Sequence, residues 1–339
     1  MDIMLITVLV SILISFFTTL FITPGMKKFL FRIGIVAKDQ QKPGRPLLPT
    51  SGGLLVISGV LMGGFFFMGV NTFVLHMNIN LLYLLAAYCS ILIITIIGFA
   101  DDINIRTIPV KNKGLDDYRI GLKQWQKPLL TLPAAIPLMV ISAGVTHMNM
   151  PFLGNMEFGL IYPLLLIPLA VVVVSNATNM LAGMNGLETG LGLVSTFSLG
   201  VYLLNMGRIE ASMIAFTAAF SLLAFLLWNR YPAKFLPGDS LTYLVGATIA
   251  AAVIMGNVEK FGIIIFTPWI IEFFLKLRSG FRARSLGDLQ RDGTLKAPYR
   301  KTYSLTHLLM KIRPMKERDI TLILVSFEVI MCAIAFLVA

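Results

Sequence analysis

The chain has 339 residues, of which 57% are hydrophobic and only 13% charged, with a mean hydropathy of +0.82 and a formal net charge of +11. So few charges cannot solvate a soluble protein of this size, and apolar stretches this long are stable in a bilayer rather than in water. Nucleic acid is excluded as the partner of the positive charge, because no recognisable binding module accompanies it.

A hydrocarbon core takes about 20 apolar residues per helix. In chain order the sequence predicts ten such segments, at roughly 3–24, 52–70, 81–99, 128–146, 160–175, 188–205, 211–228, 240–256, 261–277 and 320–338. The first has no basic leader or small-residue cleavage site and is read as a retained span that stops at Pro24-Gly25. Twenty-six of the 28 Lys and Arg residues fall in loops on one side; only Arg208 and Lys260 lie opposite. By the positive-inside rule that side is cytoplasmic and both termini point outward. The expected fold is therefore an all-α integral membrane protein, one polytopic domain over 1–339. Its cytoplasmic loops fall at about 25–50, 100–127, 176–187, 229–239 and 278–319. The basic face suits anionic lipid headgroups and also a polyanionic substrate. Cys89 and Cys332 both fall in apolar helices and read as small core hydrophobes.

The polar motifs all fall on the basic side. "GRPLLPTSGG" opens the second helix with small residues, which suits either an anion at free N–H groups or close packing. "IIGFADDINIR" places Asp101 and Asp102 at the end of an apolar helix, where one buried carboxylate costs on the order of 3 kcal/mol. The pair holds a cation, binds a basic group, takes a substrate proton, or faces water as an interfacial pair. "NATNMLAGMNGLETG" gathers Asn179, Asn185 and Glu188 around Gly183 and Gly186, more polarity than a simple turn needs. In "PGDSLTYLVG", Asp239 starts the eighth helix, where an N-cap is the plain reading. "KLRSGFRARSLGDLQRDGTL" supplies Arg forks among glycines, and the plain alternative is a solvated, lipid-facing basic loop. Together, hard oxygen donors and cationic forks on one face suit a Mg²⁺–diphosphate. No His or Cys cluster suggests zinc, no P-loop is present, and only His307 falls near this face.

"PTSGG", "GFADDIN", "NATNMLAGMNGLETG" and "PGDSLTYLVGA" occur in the order and spacing of the polyprenyl-phosphate N-acetylhexosamine-1-phosphate transferases, and residues 24 to about 300 resemble that family. "NMLAGMNGLE" is similar to the branch of the dolichyl-phosphate GlcNAc-1-phosphate transferase and its archaeal relatives. The resemblance implies ten spans, a cytoplasmic active site, and transfer of GlcNAc-1-phosphate from UDP-GlcNAc to a polyprenyl or dolichyl phosphate with release of UMP. The lipid-linked product would initiate glycan assembly. It further implies Mg²⁺, with Mn²⁺ as a substitute, and a homodimer. Residue by residue, Asn179 and Asp239 match the metal ligands, and Gly183 and Asn185, with Glu188 beside them, match the uridine-binding turn. Asp101 and Asp102 match the paired aspartates near the lipid phosphate, Lys127 a phosphate-touching lysine, and Arg282 and Arg284 the basic residues that grip sugar and phosphate. The span from Asp102 to Lys127 is longer than in eukaryotic members, which makes Lys123 a rival for the lysine role. The last loop lacks the His-rich motif of the bacterial MurNAc-pentapeptide enzymes. The alternatives are the same chemistry on another UDP-N-acetylhexosamine, or an ion-coupled transporter. Charges gathered at one face rather than at the midplane, with no inverted repeat, disfavour transport.

Overall fold

The computed structural model describes residues 3–103, 105–110, 114–119, 125–150 and 154–339. Thirteen α-helices follow one another among these residues. They are α1 (Ile3–Arg32), α2 (Gly53–Val70), α3 (Leu81–Ile103), α4 (Gln126–Thr131), α5 (Ile136–Val140), α6 (Ile167–Thr178) and α7 (Leu187–Asn205). The chain continues with α8 (Ile209–Asn229), α9 (Gly238–Gly256), α10 (Glu259–Ile265), α11 (Thr267–Leu277), α12 (Leu305–Ile312) and α13 (Glu317–Val338). Four antiparallel two-stranded hairpins decorate the connections: β1 (Val36–Lys38) with β2 (Leu47–Pro49), β3 (Ile105–Val110) with β4 (Gly114–Arg119), β5 (His147–Met150) with β6 (Gly154–Glu157), and β7 (Asp288–Leu289) with β8 (Leu295–Lys296).

Seven helices among the described residues are long and apolar enough to cross a bilayer: α1, α2 with its π-helical extension to Leu75, α3, α7, α8, α9 and α13. The other three expected spans are shorter or broken pieces. Pro133 and Pro137 divide 126–140 into α4, a 3₁₀ turn and α5, because each removes a backbone donor and crowds the preceding turn. The fifth expected span is the apolar helix Tyr162–Thr178, and the ninth is split into α10 and α11 around Phe266 and Pro268.

The expected stop at Pro24 is not observed: α1 continues through Pro24 to Arg32, so Lys27, Lys28 and Arg32 ride on helix. In a membrane bundle neighbouring elements tolerate the lost bond. On α1, Thr7, Ser11, Ser15, Thr19 and Thr23 form a buried stripe one turn apart. The hydroxyls of Ser11, Ser15 and Thr23 donate to the carbonyl four residues back, at 2.7, 3.1 and 2.6 Å. That stripe packs against α2 and α8, small residues letting the backbones approach.

The most enclosed of these seven long helices is α9, in which nearly every side chain from Asp239 to Gly256 is buried. It packs against α2, α3, α6, α7, α8 and α10. Its first turn therefore sits at the centre of one end of the bundle. Cys332 is buried as expected, whereas Cys89 lies on the outer face of α3; a small thiol is tolerated among the apolar groups of that face.

Candidate active site

The start of α9 is built by its neighbours. Gly53 of α2 and Gly98 of α3 both press on the backbone of Ser240; a Cβ on Gly98 would lie 2.5 Å from Ser240 Cα. Of the two readings of this motif, close packing is the one observed, and the Gly52 N–H, one of the donors an anion would need, donates instead to Pro237 O at 2.8 Å. Asp102 then caps α9 from outside its own helix. Its Oδ1 accepts the Asp239 N–H at 2.7 Å and its Oδ2 the Ser240 N–H at 3.3 Å. Gly238, at φ +70°, admits this approach, since a side chain there would overlap the Asp102 carboxylate. The plain N-cap reading of Asp239 is corrected: Pro237 is the cap, and Asp239 lies inside the first turn.

The Asp239 carboxylate is thereby left for side-chain chemistry. Lys127, in the first turn of α4, reaches Asp239 Oδ2 at 2.8 Å and Asp101 Oδ2 at 2.5 Å. All four charged groups, Asp101, Asp102, Lys127 and Asp239, are buried. Tyr243, one turn along α9, lies among Asp239, Lys127, Asp101 and Asn179. Asn179 is the half-buried C-cap residue of α6. Lys123 lies outside the described residues.

The turn after Asn179 folds back on itself. The Gly183 N–H donates to Glu188 Oε1 at 2.6 Å, while Glu188 Oε2 is buried with no protein partner among the described residues. Asn185 is a structural hub: its Oδ1 accepts the Ala233 N–H at 2.9 Å and its Nδ2 donates to Asp39 Oδ2 at 3.2 Å. Its backbone N–H donates to Glu317 Oε1 at 2.6 Å. Lys42 closes this ring through ion pairs with Asp39, at 3.3 Å, and with Glu317, its ammonium 4.7 Å from the Tyr231 ring centre. Gln41 bridges three segments, donating to Gly183 O at 2.9 Å and accepting the Gly287 N–H at 3.0 Å.

The last loop docks on the same turn. Leu286 lies over Gly183, and the Ser285 hydroxyl donates to Met180 O at 3.0 Å. Arg282 and Arg284 are exposed beside this joint. Behind it, His307 of α12 is buried with Nε2 3.4 Å from Leu286 O. Burial pushes its imidazole down to about 4, with Lys276 and Lys311 adding to the shift.

Sequence reasoning did not single out Asp39, Gln41, Lys42, Glu317 or Glu272. The surplus of polar residues in the 25–50 loop, beyond what topology needs, was the only signal for the first three.

Among the described residues no three His, Cys, Asp or Glu side chains converge as a ready-made metal cage. The fit to Mg²⁺ rests on the donor set. Mg²⁺ keeps its waters and is bound through one or two carboxylates plus substrate phosphates, and Asp101 and Asp239 converge on one cation, Lys127, with Asn179 nearby.

Residues 84–257, from α3 to the end of α9, match the family described as Glycosyl transferase family 4. A protein of Saccharolobus solfataricus, provisionally named UDP-N-acetylglucosamine–dolichyl-phosphate N-acetylglucosaminephosphotransferase, is 35% identical over 333 residues, covering 98% of this chain and 95% of its own. The Saccharomyces cerevisiae UDP-N-acetylglucosamine–dolichyl-phosphate N-acetylglucosaminephosphotransferase is 27% identical over 308 residues, 76% of this chain and 64% of its own. A phospho-N-acetylmuramoyl-pentapeptide-transferase of Halalkalibacterium halodurans is 27% identical over 277 residues, 78% and 79% of the two chains. The chain belongs to glycosyl transferase family 4.

Proposed function

We propose that the protein transfers N-acetylglucosamine-1-phosphate from UDP-GlcNAc to a polyprenyl or dolichyl phosphate, releasing UMP. The observation that carries this reading is the Asp101–Lys127–Asp239 cluster at the buried start of α9, in a chain that aligns over 98% of its length with a relative of that name. A lipid-phosphate oxygen forms a bond to the sugar-bearing phosphorus of UDP-GlcNAc, and the bond from that phosphorus to the UMP oxygen breaks. Lys127, oriented by two carboxylates, holds its positive charge beside the phosphoryl oxygens, where negative charge develops. Asp101 is the carboxylate available to take a proton from the lipid phosphate, because both oxygens of Asp102 accept backbone N–H groups. A phosphate monoester is largely dianionic at pH 7, its second pKa being about 6, so positioning outweighs base catalysis. Mg²⁺, held by Asn179 and Asp239, would supply neutralisation of the diphosphate. Glu188 and the 183–185 backbone face the nucleoside, and Arg282 and Arg284 the sugar phosphate.

The same reading takes the basic end as cytoplasmic, with ten crossings, three of them built from the short helices between α3 and α12, and with two copies forming a dimer. The support for the cytoplasmic face is that 26 of the 28 basic residues fall in the loops and helix ends on one side.

The test uses purified protein in detergent with polyprenyl phosphate, Mg²⁺ and labelled UDP-GlcNAc, beside Asp239→Ala. Label moves into the lipid phase only with the metal and only for wild type. Near-normal transfer by Asp239→Ala sinks the assignment of Asp239, and silence of wild type with every UDP-sugar sinks the reaction class.

A further inference from the structure

The last helix before the basic loop carries a buried carboxylate that contacts none of the candidate catalytic residues. Glu272 of α11 is fully buried, and a buried carboxylate at membrane depth is expensive unless its oxygens are well used. They are well used. Oε2 accepts the Leu305 N–H at 2.8 Å and the Ser304 hydroxyl at 3.1 Å, which ties down the start of α12. Oε1 faces the Ser285 hydroxyl at 3.2 Å. One turn along, Lys276 is 3.7 Å from Glu272 and donates to Ala283 O at 2.7 Å.

Ala283 and Ser285 flank Arg284, and Ala283 separates it from Arg282. Ser285 is held from three sides, by Glu272, by Met180 O at 3.0 Å and by the Thr306 hydroxyl, which donates to Ser285 O at 2.6 Å. Met180 follows Asn179 directly. The arginine strip is therefore held through its backbone by Lys276 and Thr306 and joined by the Ser285 hydroxyl to the turn that carries Asn179, while Arg282 and Arg284 stay exposed. A rigid backbone under free cationic heads lowers the ordering cost of gripping a phosphate.

We propose that Glu272, with Lys276, is a positioning residue that fixes the Arg282–Arg284 strip against the Asn179 turn and so sets affinity for the nucleotide-sugar diphosphate. This rests on the transferase reading above, and it acts through the loop, since neither side chain is exposed.

The experiment compares full-length wild type, Glu272→Gln and Ser285→Ala, by transfer kinetics and by hydrogen exchange across residues 279–290. The Ser285 variant removes the hydroxyl's bonds to both Glu272 and Met180 O but leaves the Glu272 contacts to Ser304 and Leu305, so it reads the same joint if Glu272→Gln does not fold. The expected result in both variants is a KM for UDP-GlcNAc raised about tenfold with kcat changed less than about threefold. Exchange at 279–290 speeds up while α9 and α13 keep their protection. Unchanged exchange in the loop overturns the proposal, as does a loosened loop with unchanged KM, or a fall in kcat alone. Wild type without any transfer sinks the transferase reading; the exchange arm then still decides whether Ser285 and Glu272 fix the strip.

Discussion

Asp101 and Asp102 are neighbours in the chain with opposite engagements. Asp102 spends both oxygens on the first turn of α9, whereas Asp101 meets the Lys127 ammonium. Substituting Asn at 102 turns one acceptor into a donor aimed at a backbone N–H, and an unsatisfied buried group of this kind costs about 1–3 kcal/mol. Asp102→Asn is therefore expected to lower Tm and, by releasing Asp239, to lower transfer with it. Asp101→Asn is expected to leave Tm closer to wild type and to cut kcat more than UDP-GlcNAc affinity. Thermal unfolding and steady-state kinetics of the two variants check this, and equal Tm losses would undo the division of labour. The sequence showed that an acidic pair ended an apolar helix. It could not show which member faced the backbone, because that depends on Asp239, 137 residues away. Asp39, Lys42 and Glu317 were hidden for the same reason: their charges are ordinary loop charges until the fold brings Asn185 between them.

At the scale of elements, the site exists because α2 and α3 approach α9 closely enough to fix its first turn. The "SGG" and "IIGFADD" glycines, Gly53 and Gly98, are where the contact is made. Hydrophobic patterning located these helices well, since length and apolar content alone specify a span. It located the broken ones less well, because prolines at 133 and 137 interrupt a run that is apolar throughout. A methyl group at Gly98 would push on the Ser240 backbone rather than on a flexible side chain, and overpacking of this sort costs about 1–3 kcal/mol. Gly98→Ala is expected to lower Tm and transfer together. Gly69→Ala, on the α2 face where nothing lies within 4 Å, is expected to leave both unchanged. A thermal shift assay with parallel transfer rates reads the pair, and a neutral Gly98→Ala would show that α9 is not held at this joint.

At the scale of the whole molecule, the charge distribution and the site agree. The site assembles from the 25–50 loop, the ends of α3 and α6, the starts of α4, α9 and α13, and the last loop, all at one end of the bundle. Lys260, one of the two basic residues predicted opposite, donates to Val338 O at the far end of α13. Glu317, at the near end of the same helix, binds Asn185 and Lys42. A helix of 22 residues spans about 33 Å, so α13 alone separates the two ends by a bilayer core. This makes the orientation testable independently of chemistry. Arg284→Cys and Lys260→Cys, each made with Cys89 and Cys332 replaced by Ala so that a single thiol remains, in intact cells exposed to a membrane-impermeant maleimide, are expected to label at 260 and not at 284. Permeabilised cells label both. The reverse pattern would place the diphosphate site outside, where a UDP-sugar made in the cytosol does not reach it, and would overturn the topology and the substrate reading together.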